Sequence, residues 1–116
     1  MLQILLASAL LAFPTSPVLS GDKLPRDVVA YIARRESCDH WRGEDGYDDA
    51  RRAEILRGVC KSCAGSDAGL SRLKKKYRAN KAVQKRLAEF EPNIEPRRAS
   101  EHQAMCRAAM RQAPMQ

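Results

Sequence analysis

Four cysteines, Cys38, Cys60, Cys63 and Cys106, constrain this chain more than any other feature, because their chemistry depends on where the chain folds. In a reducing compartment Cys60-Lys61-Ser62-Cys63 reads as a redox pair or half of a zinc site. In an oxidising one, an even number of cysteines in a short chain reads as disulfides. The amino terminus decides between them. Met1 to Ser20 contains no Lys, Arg, Asp or Glu, and the apolar run from Leu2 to Phe13 is broken by Pro14 and Pro17. Val18-Leu19-Ser20 suits signal-peptidase cleavage before Gly21, although no basic residue precedes the apolar run. A membrane span needs about 20 continuous apolar residues, and this run is shorter. The expectation is a signal peptide over 1–20, a single helical domain over 21–112 and a frayed end over 113–116, in a periplasmic or secreted protein.

The leader is uncharged, so the mature part carries the whole net charge of +7. A domain of that size buries a limited share of its surface, and cross-links compensate. Aromatic residues are sparse and no stretch alternates, so no strand is expected. Helical spacing recurs instead. Pro25 suits a first turn, followed by Val28, Val29, Ile32 and Ala33 at core spacing, and Gly43 stops that helix after Trp41. Asp48 or Asp49 caps a second helix carrying Ile55, Leu56 and Val59 toward Cys60 and Cys63. Gly65 fits a helix stop and Ser66 an N-cap, with Asp67 beside the positive end of the third helix dipole. Leu70, Leu73 and Tyr77 form that helix's seam, and Asn80 caps a fourth with Val83, Leu87 and Phe90, ended by Pro92. Ile94 packs after the turn. A last helix from about Pro96 places Ala99, Cys106, Ala109 and Met110 near one face. The fold class is all-α: a small bundle of four or five short helices cross-linked by disulfides.

Several segments carry a family resemblance: Arg34-Arg35-Glu36-Ser37-Cys38-Asp39-His40-Trp41-Arg42-Gly43-Glu44, then Arg51-Arg52-Ala53-Glu54-Ile55, then Cys63-Ala64-Gly65-Ser66-Asp67. With Leu70, Leu73, Tyr77, Val83, Leu87 and Glu91-Pro92-Asn93-Ile94-Glu95, they resemble a family of small exported, cysteine-containing helical proteins of Gram-negative bacteria. The resemblance covers about residues 25–95. It implies a compartment and a pattern rather than a mechanism, since that family has no assigned activity. It also implies that Cys38 pairs with Cys63. Cys60 and Cys106 look like additions in this chain, and their pairing is an inference from what remains. By the chain-entropy model the first loop is worth about 3.5 kcal/mol and the second about 4.

The sharper readings of the cysteines are weaker. A redox CxxC wants its first thiol at a helix N-terminus, whereas Cys60 falls at a helix C-terminus, where the dipole opposes a thiolate. For zinc, Cys38 and His40 would have to complete the site as C-x-H, a poor half-site. Disulfide-bonded Cys38 gives His40 no thiolate to activate, so His40 and Trp41 read as the close of the first helix. Glu44, Asp45, Asp48 and Asp49 do not follow the EF-hand pattern; they read as partners of Arg34, Arg35, Arg42, Arg51 and Arg52, and Glu36 also suits an arginine. No cofactor, metal or catalytic residue is expected.

The strongest surface feature is the run from Arg72 to Arg86, with eight basic residues and no acidic one. Were the two helices there nearly collinear, Lys74, Arg78, Lys81 and Lys85 would share a face. A solvated face is the plain reading, and an anion-binding face the functional one. Nucleic acid does not fit the compartment, and only Tyr77 interleaves the charges. The charge also opposes an inhibitor of cationic lysozymes. The expectation is a non-catalytic binding or accessory protein of the cell envelope, contacting an unknown protein or an anionic envelope component. The alternative is a thiol or zinc factor built on Cys60 and Cys63.

Overall fold

The computed structural model describes residues 23–112, so the expected leader and the 113–116 end lie outside the described residues. It contains α1 (Arg26–Arg42), α2 (Asp49–Cys63), α3 (Ser66–Lys76), α4 (Lys81–Leu87) and α5 (Ala99–Arg111). The described chain is all-helical, with two disulfides.

Pro25 precedes the first helical residue, where its missing N–H costs nothing, and its carbonyl accepts from Val29 N. Gly43 ends α1 by donating to the Asp39 and His40 carbonyls. Asp48 is the cap of α2, its carboxylate accepting from Arg51 N at 2.7 Å. Asn80 caps α4 through Val83 N at 3.1 Å. That helix is short: it ends at Leu87, and Phe90 packs from the turn beyond it rather than from the helix.

The core joins α1, α3 and α4. Val28, Ile32, Leu70, Leu73, Val83, Leu87 and Phe90 form one buried cluster, with Leu24, Tyr31 and Tyr77 packed against its rim. Of the α1 core positions expected from spacing, Val29 and Ala33 turn out exposed, Val29 by 51%. The inward stripe of α1 runs Val28, Ile32, Arg35 and Cys38, and it takes a charged residue where an apolar one was sought. Helix α2 approaches α1 through small residues. Gly58, Ser62 and Cys63 are buried, while Ile55, Leu56 and Val59 are half-buried. The Trp41 indole lies against Gly58 where a β-carbon would stand, so only glycine allows this approach. Ser62 Oγ donates to the Gly58 carbonyl at 2.6 Å and is thereby satisfied in the contact.

Cys38 is bonded to Cys63, fastening α1 to the end of α2 with Cα atoms 4.9 Å apart. Cys60 is bonded to Cys106, tying α5 to α2 with Cα atoms 5.5 Å apart. Helix α5 packs mainly on α2, and among its residues whose burial is described only Ala109 is buried; Met110 stays 40% exposed.

Candidate functional site

Residues from α1, the start of α3 and the segment after α4 meet around Arg35. Its guanidinium is 2% exposed, and a charge so far from water needs partners. Nε donates to Asp39 Oδ1 at 3.0 Å and Nη2 to the Glu91 carbonyl at 2.9 Å. Nη1 reaches the Tyr31 hydroxyl and Ser66 Oγ, both at 3.4 Å. Phe90 carries Arg35 at 5.5 Å from its ring centroid and Arg86 at 5.0 Å, and meets Tyr31 edge-on. One side chain of α1 thus holds the start of α3 and the segment after α4.

A second knot locks that segment. Gly65 takes φ +77°, the left-handed conformation that glycine adopts without strain, between α2 and α3. Ser66, expected as the cap of α3, is instead its first residue and makes no capping bond. Glu95 supplies the cap from 28 residues away, accepting from Asp67 N at 2.8 Å and from Gly65 N at 3.3 Å. Asp67 returns the exchange by accepting from Ile94 N at 2.9 Å and Glu95 N at 3.0 Å. This is a capping box made between distant segments. The left-handed Asn93, φ 60°, turns the chain into it. Glu91-Pro92-Asn93-Ile94-Glu95 and Gly65-Ser66-Asp67 are therefore the two halves of one structural device.

Of the acidic turn, Glu44 and Asp49 enter ion pairs, Asp48 caps α2, and Asp45 pairs with no described residue. Arg51 bridges Glu44 at 3.0 Å and Glu54 at 2.8 Å, and Arg42 joins Asp39 at 3.0 Å. Arg52 pairs with Asp49. Glu36 takes Arg86 at 2.9 Å. His40 Nε2 lies 3.3 Å from Glu44 with most of its side chain in solvent. Arg34 is spent differently, on the Lys61 carbonyl at 3.3 Å. Surface pairs like these are each worth under about 1 kcal/mol.

The basic stretch does not form one straight face. Gln84 Nε2 donates to the Lys74 carbonyl at 3.0 Å and the Tyr77 carbonyl at 2.9 Å. Ten residues of continuous helix would separate those groups by about 15 Å, so the chain folds back at Arg78–Asn80. Lys74 and Arg78 border one shallow depression with Lys75, beside Asp67 and Asn93. Lys81 borders another with Lys76, and Lys85 lies on neither. Lys76 and Arg86 are held by Asp27 and by Glu36 and Glu89. Among the described residues, Arg72, Lys74, Lys75, Arg78, Lys81 and Lys85 have no carboxylate within ion-pair distance.

Sequence reasoning missed a cleft on the other side of α3. It lies between α1 and α3, has a volume of about 460 Å³, and is lined by Tyr31, Arg34, Arg35, Ser66, Gly69 and Arg72 among others. The signal was present as spacing: Gly69, Arg72 and Lys76 fall on the face of α3 opposite Asp67, Ser71 and Lys74. At its rim Asp27 accepts from Lys76 Nζ at 2.7 Å and the Tyr77 hydroxyl at 2.8 Å. Lys76 and then Tyr77 hold the Asp27 carboxyl below its usual pKa. A carboxyl depressed in the folded state adds stability above its unfolded pKa, and loses it as the pH falls through the folded value. The midpoint of thermal unfolding, followed by circular dichroism, should drop on acidification below about pH 4. An Asp27→Asn variant should melt lower at neutral pH and show a shallower acid decline.

No protein-family model matches the chain, and neither a curated protein nor a solved structure matches it. The fold and the site define a small all-α protein with two disulfides, a cross-link chemistry that fits an oxidising, extracytoplasmic environment. No described helix is long and apolar enough to cross a membrane.

Proposed function

We propose that this is a non-catalytic binding or accessory protein of the periplasm or cell exterior, akin to the small exported proteins of Gram-negative bacteria it resembles. Its basic edge contacts an anionic partner, either an acidic protein or an anionic component of the envelope. The observation that carries this reading is the set of cations on α3, the following turn and α4 that pair with no carboxylate among the described residues: Lys74, Lys75, Arg78, Lys81 and Lys85. Arg26, Arg34, Arg57, Lys61, Arg107 and Arg111 also lack an ion pair among the described residues, but they are spread over α1, α2 and α5, whereas this edge gathers five cations on α3, the following turn and α4. Long-range attraction of that kind raises association rates and weakens with salt. The thiol reading finds less support, because Cys60 and Cys63 are bonded to different partners rather than to each other.

The test is retention of the oxidised protein on vesicles of anionic lipid, measured against salt. Lys74, Arg78, Lys81 and Lys85 replaced together by Gln should abolish most retention at low salt and flatten the salt dependence. Unchanged retention would leave the edge as a solvated face.

A further inference from the structure

The cleft between α1 and α3 shares no lining residue with the depression of Lys74, Lys75 and Arg78, which opens on the opposite face of α3; Lys76 at the cleft's rim also borders the depression of Lys81. Its volume of about 460 Å³ lies in the range of small-molecule sites. Its lining is strongly cationic. Arg34, Arg35, Arg72 and Lys76 face it against the single carboxylate of Asp27, which is already bonded to Lys76, Tyr77 and Val28 N. Cations gathered over a low-dielectric wall concentrate field into the opening.

Two of those cations have donors to spare. Arg35 spends Nε and Nη2 on bonds of 3.0 and 2.9 Å, but both contacts of Nη1 are stretched to 3.4 Å, beyond the usual limit of about 3.2 Å. Nη1 is therefore the most weakly engaged donor of a side chain that is 2% exposed and borders the cleft. An incoming anionic acceptor would exchange these two long neutral contacts for a charge-assisted bond. Arg72 makes no hydrogen bond or ion pair with a described residue, yet its Nη2 turns toward the floor, 3.9 Å from where a β-carbon on Gly69 would stand. The start of α3 adds nothing, because Glu95 already caps the amides of Gly65 and Asp67.

The remaining wall is apolar. Ala30, the Tyr31 ring and Leu73 line it, and Gly69 keeps the floor open: a side chain there would press the Tyr31 ring, which lies 3.2 Å from the β-carbon position. The walls are also fixed in advance. Tyr31 OH donates to the Ser66 carbonyl at 3.2 Å across the cleft, and the Cys38–Cys63 bond anchors α1 about two turns further along. Little ordering remains for a ligand to bring about.

We propose that this cleft binds a small organic oxyanion, such as a phosphate monoester, whose charged group meets Arg72 and Arg35 Nη1 and whose apolar body lies against Tyr31 and Leu73. A planar guanidinium takes two oxygens of such a group at once, which a lysine cannot do.

The test is an amide-shift titration of the oxidised full chain with phenyl phosphate. Inorganic phosphate serves as the head group alone, phenol as the body alone, and vesicles of anionic lipid as the membrane source of the same chemistry. Saturable shifts should be confined to amides around Tyr31, Ser66 and Gly69. Phenyl phosphate should bind at least fivefold more tightly than either fragment. Arg72→Glu should weaken it at least tenfold and Arg72→Gln at least threefold; Arg72 is exposed and unbonded, so neither change should disturb the fold. The Lys74→Gln/Arg78→Gln pair, on the other face, should leave it unchanged. Shifts that fail to saturate, that survive Arg72→Glu, or that vanish equally with Lys74 and Arg78 would overturn the proposal. Shifts in the cleft on adding vesicles but not phenyl phosphate would overturn it too. The vesicle retention described above is read separately, so either reading can fail alone.

Discussion

Replacing Cys38 and Cys63 together by alanine is expected to lower stability by about 3.5 kcal/mol, from the 25-residue loop they close. Both half-cystines are buried, at 0% and 5% exposure, so lost packing adds to that figure. Against a typical stability of roughly 5–10 kcal/mol this removes a large share, and the melting midpoint should fall by about 15–25 °C. Removing Cys60 and Cys106 should act otherwise. Their loop spans 46 residues, and the entropy formula alone assigns it about 4 kcal/mol. That value assumes a native state that stays put when the bond is cut. Helix α5 packs mainly on α2, buries Ala109 while most of its described residues stay exposed, and lies beyond the Asp67–Glu95 box. Released at Cys106, it should undock locally and regain its freedom in the native state as well as the unfolded one. The expected result is a small change in the midpoint, with amides of 99–111 exchanging fast while those of α1 and α3 remain protected. Equal losses for the two variants would show that α5 belongs to the cooperative core.

This contrast tracks what the residues announce on their own. The helix starts at Asp48 and Asn80 are legible because a short polar side chain before an apolar stripe has few other uses, and both accept the amide three residues on. The seam Leu70, Leu73, Val83 and Leu87 is legible from its period and is buried. Three features escape such reading. Ser66 resembles a cap, but the oxygen that caps α3 comes from Glu95, and no local pattern carries a partner 28 residues away. Val29 and Ala33 fit the core spacing, yet the inward stripe rotates to take Arg35 and Cys38 because Glu91, Asp39 and Phe90 wait for a guanidinium there. The basic run reads as one face only if α3 and α4 continue each other, and Gln84 binding back to the end of α3 turns the chain instead. Its cations are consequently divided between the outer edge and the cleft. In each instance local spacing gives the element correctly, and a long-range hydrogen bond decides what the element faces.

Arg35 is the sharpest instance, and it carries the second large effect. Arg35→Ala is expected to cost about 3–4 kcal/mol. Charge-assisted hydrogen bonds are worth about 1.5–3 kcal/mol each. Asp39 is 40% exposed on its side chain, so water can replace its share. The Glu91 carbonyl loses the donor that Nη2 holds at 2.9 Å, and Phe90 loses one of its two cations. Arg35→Met separates packing from polarity, because it fills most of the space but donates nothing. Arg35→Lys keeps the charge but replaces a planar fork with a single point of donation, which cannot serve Asp39, Ser66 and Glu91 together. Thermal unfolding of the three variants should rank lysine above methionine and methionine above alanine, with the alanine midpoint lowered by about 15 °C or more. The fault should begin locally. With the Glu91 contact gone, residues 91–95 loosen, and the Glu95 cap on α3 goes with them; amide exchange should therefore rise first at Gly65, Asp67, Ile94 and Glu95. If methionine matches the wild type, the guanidinium is merely filling space. The order lysine, methionine, alanine would instead show that one buried charge organises the joint between α1, α3 and the segment after α4.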